Sequence, residues 1–171
     1  MTNLILENLQ LHVRLPSMNP MPTEVQAVRT ILFVCTGNTC RSPMAEGLAA
    51  DLLADSGVFV ASAGVAASDG APPSRETIHT LESMGIEYEG HSKPLSADMI
   101  RNADLVLCMT RSHQAAARSL VEGDEDLLTR IQLVDPEGDI PDPIGQSQAT
   151  YDAVAQRLKS VIPGHISDLA T

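Results

Sequence analysis

From Thr30 onward, short continuous apolar runs alternate with longer stretches of mixed polar and apolar positions. Ile31-Leu32-Phe33-Val34 is the first such run, a pattern typical of a strand covered on both faces. Val58 to Ala61 reads as a second strand, ended by Ser62-Ala63-Gly64; Asp104 to Met109 is a third and Ile131 to Val134 a fourth. The segments between them predict helices. Pro43 opens one that runs to about Asp55, because proline suits a first turn where its missing N–H would lack a partner anyway. Arg75 to Met84 is the next, stopped by Gly85. Ala97 to Asn102 is short, Ser112 to Val121 is favoured by its alanines, and Ser147 to Val161 closes the pattern after a loop with Pro136, Pro141 and Pro143. Strands alternating with helices imply an α/β fold, a four-stranded parallel sheet with helices on both faces. Residues 1–28 differ: they carry Pro16, Pro20 and Pro22 and an apolar start at Leu4-Ile5-Leu6, with no sustained period. They are expected to be an extension or linker, with the folded domain over 29–171.

Composition narrows the class. The chain has 171 residues, 43% of them hydrophobic. A domain of this size buries roughly 70% of its unfolded surface and needs no staples to fold. No apolar run approaches the ~20 residues of a membrane span. No basic start leads into an apolar stretch and a small-residue cleavage site, so the expectation is a cytoplasmic protein with no membrane partner. The three cysteines then read as free thiols. Cys35 and Cys40 lack a second pair of Cys or His at ligand spacing, so no metal and no cofactor is expected. A net charge of −11 argues against nucleic acid as a partner. It leaves room for one locally positive pocket and would attract, not repel, a basic protein.

The strongest chemical signal is the strand–loop–helix unit Cys35-Thr36-Gly37-Asn38-Thr39-Cys40-Arg41-Ser42. Ligands of parallel α/β sheets gather at the carboxyl ends of strands, where this loop lies. Backbone N–H groups of a curled loop, with the N-terminus of the helix behind it, form an anion cradle. Arg41 adds a permanently charged fork matched to phosphate oxygens. The same positive field stabilises a thiolate at Cys35; thiols so placed have pKa values of roughly 3.5–7.5, against about 8.5 when free. No Gly-Lys-Ser/Thr follows, so this is not the nucleotide-binding loop. Cys40 has two readings, a partner for a reversible disulfide that protects Cys35 or a small residue packed under the loop. Cys108, inside an apolar run, reads as core.

Val34 to Gly47 (VCTGNTCRSPMAEG) resembles the active-site loop of the low-molecular-weight protein tyrosine phosphatase family. The similarity continues through Ser62-Ala63-Gly64-Val65, Ala103 to Met109 and Asp142-Pro143, and so spans about residues 29–163. The resemblance implies a flavodoxin-like three-layer sandwich and a phosphocysteine intermediate on a phosphorylated protein substrate. Cys35 would attack phosphorus, Arg41 would hold the equatorial oxygens, and the rest of the loop (Thr36, Gly37, Asn38, Thr39, Cys40 and Ser42) would line the phosphate site. Ser42 would hydrogen-bond the thiolate, and Asn38, tied to Ser62 and His91, would fix the loop's shape. The residues alone also allow His91 to be a surface histidine. The family places its proton donor as an Asp before a Pro in a late loop. Two pairs qualify, Asp135-Pro136 and Asp142-Pro143, and the second, followed by Ile-Gly-Gln-Ser and the closing helix, matches better.

The substrate is read from Thr39 and from a scarcity of aromatics. A phosphotyrosine pocket stacks its ring on flat apolar walls, yet the chain has only Phe33, Phe59, Tyr88 and Tyr151. Tyrosine enzymes of the family usually carry isoleucine at the Thr39 position; threonine resembles the bacterial protein-arginine phosphatases. Ile144 departs from both branches, which tend to keep an aromatic after the Asp-Pro. Phosphoarginine is therefore the expected substrate, with phosphotyrosine the alternative. Thioredoxin-coupled arsenate reductases share the loop, but the second cysteine of their relay would fall at Ala115. A binding module without turnover is the remaining reading.

Overall fold

Strand β1 (Thr30–Cys35) carries the first apolar run through the middle of the sheet, and its alternate side chains enter two separate cores. Ile31, Phe33 and Cys35 lie in one, Leu32 and Val34 in the other. The computed structural model describes residues 29–166; the extension expected over 1–28 lies outside them. The other strands are β2 (Phe59–Gly64), β3 (Leu105–Cys108) and β4 (Ile131–Leu133). They pair in the order β2-β1-β3-β4, all parallel, as the alternating pattern predicts. Helices α1 (Arg41–Leu52), α2 (Arg75–Ser83), α6 (Gln148–Val161) and α7 (Pro163–Ile166) cover the face of Phe33. Helices α3 (Ala97–Arg101), α4 (Arg111–Ser119) and α5 (Glu125–Arg130) cover the face of Val34.

This order makes β1 the place where the sheet reverses direction: the chain steps to β2 on one side, then crosses to β3 on the other. Such a switch point leaves a crevice beyond the carboxyl end of the strand, and the residue at that end is Cys35. Among the described residues, no helix is long and apolar enough to cross a membrane.

Besides the four-residue α7, which follows the last helix the pattern predicts, three elements differ from that pattern. Helix α1 begins at Arg41, ahead of Pro43, so the arginine is fixed by helical geometry. Helix α5 has one buried side chain, Leu127, too few for an apolar period; its signal was the Asp124 cap, which accepts from the Leu127 N–H. Strand β2 runs on through Ser62, Ala63 and Gly64, which pair with Phe33, Val34 and Cys35, whereas these small residues read as a strand end.

Gly64 has a steric reason to be there. A Cβ on it would sit 2.5 Å from the Thr36 carbonyl oxygen and 2.9 Å from the Asn38 nitrogen, both backbone atoms of the Cys35 loop. Just beyond it, the Val65 and Ala66 N–H groups donate to the carbonyls of Cys35 and Thr36, each at 2.9 Å. Replacing Gly64 by alanine is expected to cost about 1–3 kcal/mol of stability in a urea melt, the usual range for overpacking. Phosphate affinity should fall with it, since the displaced atoms belong to the loop.

Candidate active site

Cys35 ends β1 and is 2% exposed, and the next five residues turn back to start α1. Its sulfur accepts from the Asn38 N–H at 3.2 Å and lies 2.9 Å from Ser42 Oγ. The single Ser42 proton has two acceptors in reach, this sulfur and the Ala63 carbonyl at 3.4 Å. The shorter contact wins when the sulfur is a thiolate, because a charged acceptor makes the stronger bond.

The turn depends on Asn38, the one non-glycine residue with positive φ (+55°) among the described residues. That conformation is sparsely populated for a side-chain-bearing residue and persists where neighbours hold it. Asn38 is 1% exposed, and its amide nitrogen donates to Ser62 Oγ at 2.7 Å and Ser42 Oγ at 2.9 Å. Its amide oxygen accepts from the Lys93 N–H at 2.8 Å. His91 does not take the part expected of it: it is exposed, and the backbone two residues further on supplies the contact. Ser62 in turn donates to Glu46 of α1, which also accepts from the Tyr88 hydroxyl at 2.8 Å. Burial, together with the Glu46 carboxylate, pushes the Tyr88 phenol far above its ordinary range.

Arg41 is 4% exposed. Its Nη1 donates to the Ile140 carbonyl at 3.0 Å, and its Nη2 to Asp142 Oδ2 at 2.6 Å and to Thr36 Oγ1 at 3.3 Å. Its Nε is buried with no partner, a donor at the foot of the loop that an oxyanion would satisfy. Asp142 stands at the mouth, its side chain 43% exposed, with Oδ1 accepting from the Ile144 N–H. Asp135 has a different place: it is buried and paired with Arg157 of α6 at 2.6 Å. Burial alone would raise its pKa, but the bonds from Arg157 and the Glu137 N–H outweigh it and hold the carboxyl below its ordinary value.

Gly37 lies in the loop with room for a Cβ, so space alone does not require glycine there. Thr39 is half-buried, and its carbonyl accepts from the Ser74 N–H, which ties the loop to the start of α2. The Cys40 thiol is 3.4 Å from the Tyr151 hydroxyl and 3.7 Å from that of Ser74, packed beneath the loop. All three cysteines are free thiols. Cys108 is fully buried, and burial pushes its thiol up to about 12, as suits an inert core residue.

His113 was not foreseen. It lies in the first turn of α4, 4% exposed, with Nε2 2.8 Å from Thr36 Oγ1. Burial, and then the nearby Arg41 charge, lower its pKa to about 4. In sequence it is a lone histidine with no motif. Glu46 was visible within the loop pattern but carried no assigned role, and Tyr88 had no signal beyond being aromatic.

A family described as "Low molecular weight phosphotyrosine protein phosphatase" matches residues 30–171. A protein-arginine-phosphatase of Geobacillus stearothermophilus is 40% identical over 134 residues, covering 77% of this chain and 90% of the relative. A low molecular weight protein-tyrosine-phosphatase, PtpB of Staphylococcus epidermidis, is 30% identical over 132 residues, covering 77% and 93%. A solved structure of the YwlE arginine phosphatase, a cysteine-to-serine mutant with a phosphorylated active-site serine, superposes with a TM-score of 0.74. It is 32% identical and the match covers 82% of this chain and 95% of that one. The chain belongs to the low molecular weight phosphotyrosine protein phosphatase family.

Proposed function

We propose that this chain, a cysteine-dependent protein phosphatase, acts on protein phosphoarginine through a phosphocysteine intermediate. The observation that carries the substrate is where the aromatics are. Phe33, Phe59, Tyr88 and Tyr151 are the chain's only aromatic residues, and each is committed away from a phenyl ring at the mouth. Phe33 is in the core, and Phe59 begins β2, pairing with Thr30 at the end of the sheet opposite Cys35. Tyr88 is bound to Glu46, and Tyr151 lies beneath the loop against Cys40. The side chain beside Asp142-Pro143 is Ile144, which is 64% exposed. A guanidinium needs a carboxylate more than a stacking wall, and Asp142 offers one at the mouth.

In the reaction so read, the Cys35 thiolate attacks phosphorus as the bond from phosphorus to the leaving nitrogen breaks. The phosphoryl oxygens take Arg41 Nε and the Nη2 hydrogen that Asp142 holds, which releases Asp142; in its carboxylic acid form, protonated from solvent, Asp142 then gives its proton to that nitrogen. Ser42 and the Asn38 N–H steady the sulfur as its charge is lost and regained. Water then attacks the phosphocysteine; Asp142 takes its proton, inorganic phosphate leaves, and the thiolate is restored. A cytoplasmic setting suits three free thiols. The relatives include both arginine and tyrosine phosphatases, and their names support the reading at the level of a phosphorylated protein substrate.

The substrate is tested by phosphate release from a phosphoarginine protein and a phosphotyrosine peptide, side by side in reductant. The account expects the phosphoarginine protein to be preferred; preference for phosphotyrosine would return the assignment to the tyrosine branch, with Ile144 as an apolar wall. Asp142→Asn should lower kcat about 10²–10⁴-fold, the usual size of a lost acid–base group. Cys35→Ser should bind phosphate and turn nothing over; appreciable turnover by that variant would sink the mechanism.

A further inference from the structure

Arg41 is held by three acceptors, and one of them leads to a residue that the proposed reaction leaves unused. The acceptors are the Ile140 carbonyl, Asp142 and the Thr36 hydroxyl. Asp142 has to leave the guanidinium when its carboxyl serves the leaving atom. Thr36 is then the remaining partner of Nη2 within the protein.

A hydroxyl has one proton and two lone pairs. One lone pair of Thr36 accepts from Arg41, and His113 Nε2 lies 2.8 Å from the same oxygen, where in the Nδ1–H tautomer it accepts the hydroxyl proton. An imidazole that accepts at Nε2 carries its proton on Nδ1, and Nδ1 is buried with no partner. An unpaired buried polar atom is a cost that packing alone does not explain. It points to a use for the other nitrogen.

We propose that His113 is a positioning residue for Arg41: by accepting the Thr36 hydroxyl proton, it turns the Thr36 lone pair toward the guanidinium and keeps it there while Asp142 is away. The inference rests on the phosphatase reading of the same loop and adds a residue to it. The burial and charge that keep His113 neutral at ordinary pH serve this role. The charged groups facing it are Arg41 from α1 and Asp139 and Asp142 from the loop after β4; burial and the arginine together lower its pKa against the two carboxylates. A protonated ring would donate to the same oxygen as Arg41 and undo the arrangement.

The test is a double-mutant cycle read by inorganic phosphate binding in calorimetry and by kcat and KM on p-nitrophenyl phosphate. His113→Leu and Thr36→Val should each weaken phosphate binding about tenfold, and the double variant should bind no worse than either, because both remove one chain of bonds. His113→Gln, which keeps an acceptor at the reach of Nε2, should restore most of the loss. Additive effects, wild-type binding by His113→Leu, or no rescue by glutamine would each overturn the proposal. If His113→Leu does not fold, His113→Asn takes its place in the cycle, since its shorter amide stops short of Thr36. The phosphate titration also separates the two claims. A wild-type protein that binds phosphate but turns over no phosphorylated substrate counts against the phosphatase reading, whereas turnover without coupling counts against His113 alone.

Discussion

The left-handed turn at Asn38 is the constraint on which the rest of this site depends. Without it the five residues between β1 and α1 could not bring an N–H back to the Cys35 sulfur, nor deliver Arg41 at the start of the helix. The turn is unfavourable for asparagine by itself, and three hydrogen bonds hold it, to Ser42, to Ser62 and from the Lys93 N–H. Two of those partners come from β2 and from the segment after α2, so the loop's shape is a tertiary property. Gly64 completes the fit by letting β2 approach the loop backbone more closely than any Cβ would permit.

That dependence explains which parts were legible in the chain. The central strands β1 and β3 were visible because both of their faces are buried, and an apolar run is the direct imprint of that environment; the edge strands β2 and β4, partly exposed, were visible as shorter apolar runs. Cys35 and Arg41 were visible because one short loop carries both, so their spacing is written in the sequence. The end of β2 was misread because Ser62, Ala63 and Gly64 are chosen for the loop they support, and small polar residues usually mark a turn. His113 was hidden because its partner Thr36 is 77 residues away and only the sheet order brings them together. His91 failed for a related reason: the loop it was to support takes its bond from the Lys93 backbone, for which any side chain would serve.

The two Asp-Pro pairs show the same limit from another side. As local sequence they are near equivalents, each a carboxylate ahead of a rigid turn. The structure separates them by the arginine each meets, Arg157 of α6 for Asp135 and Arg41 for Asp142. One pair fastens a helix; the other lies at the mouth of the anion cradle. The acidic surface of the protein is no obstacle to that cradle, because the loop's N–H groups and a nearly buried guanidinium set the local field.

The most direct test of the central claim is to look for phosphate on Cys35 itself. Asp142→Asn should be mixed with p-nitrophenyl phosphate, whose leaving group needs no proton, so that attack proceeds while hydrolysis, deprived of its base, lags. The reaction would be quenched within a single turnover and the peptides analysed by mass spectrometry. The account predicts one phosphoryl group on the peptide containing Cys35, attached to that sulfur. Release of p-nitrophenol in step with free phosphate, with no covalent adduct at any time, would contradict it.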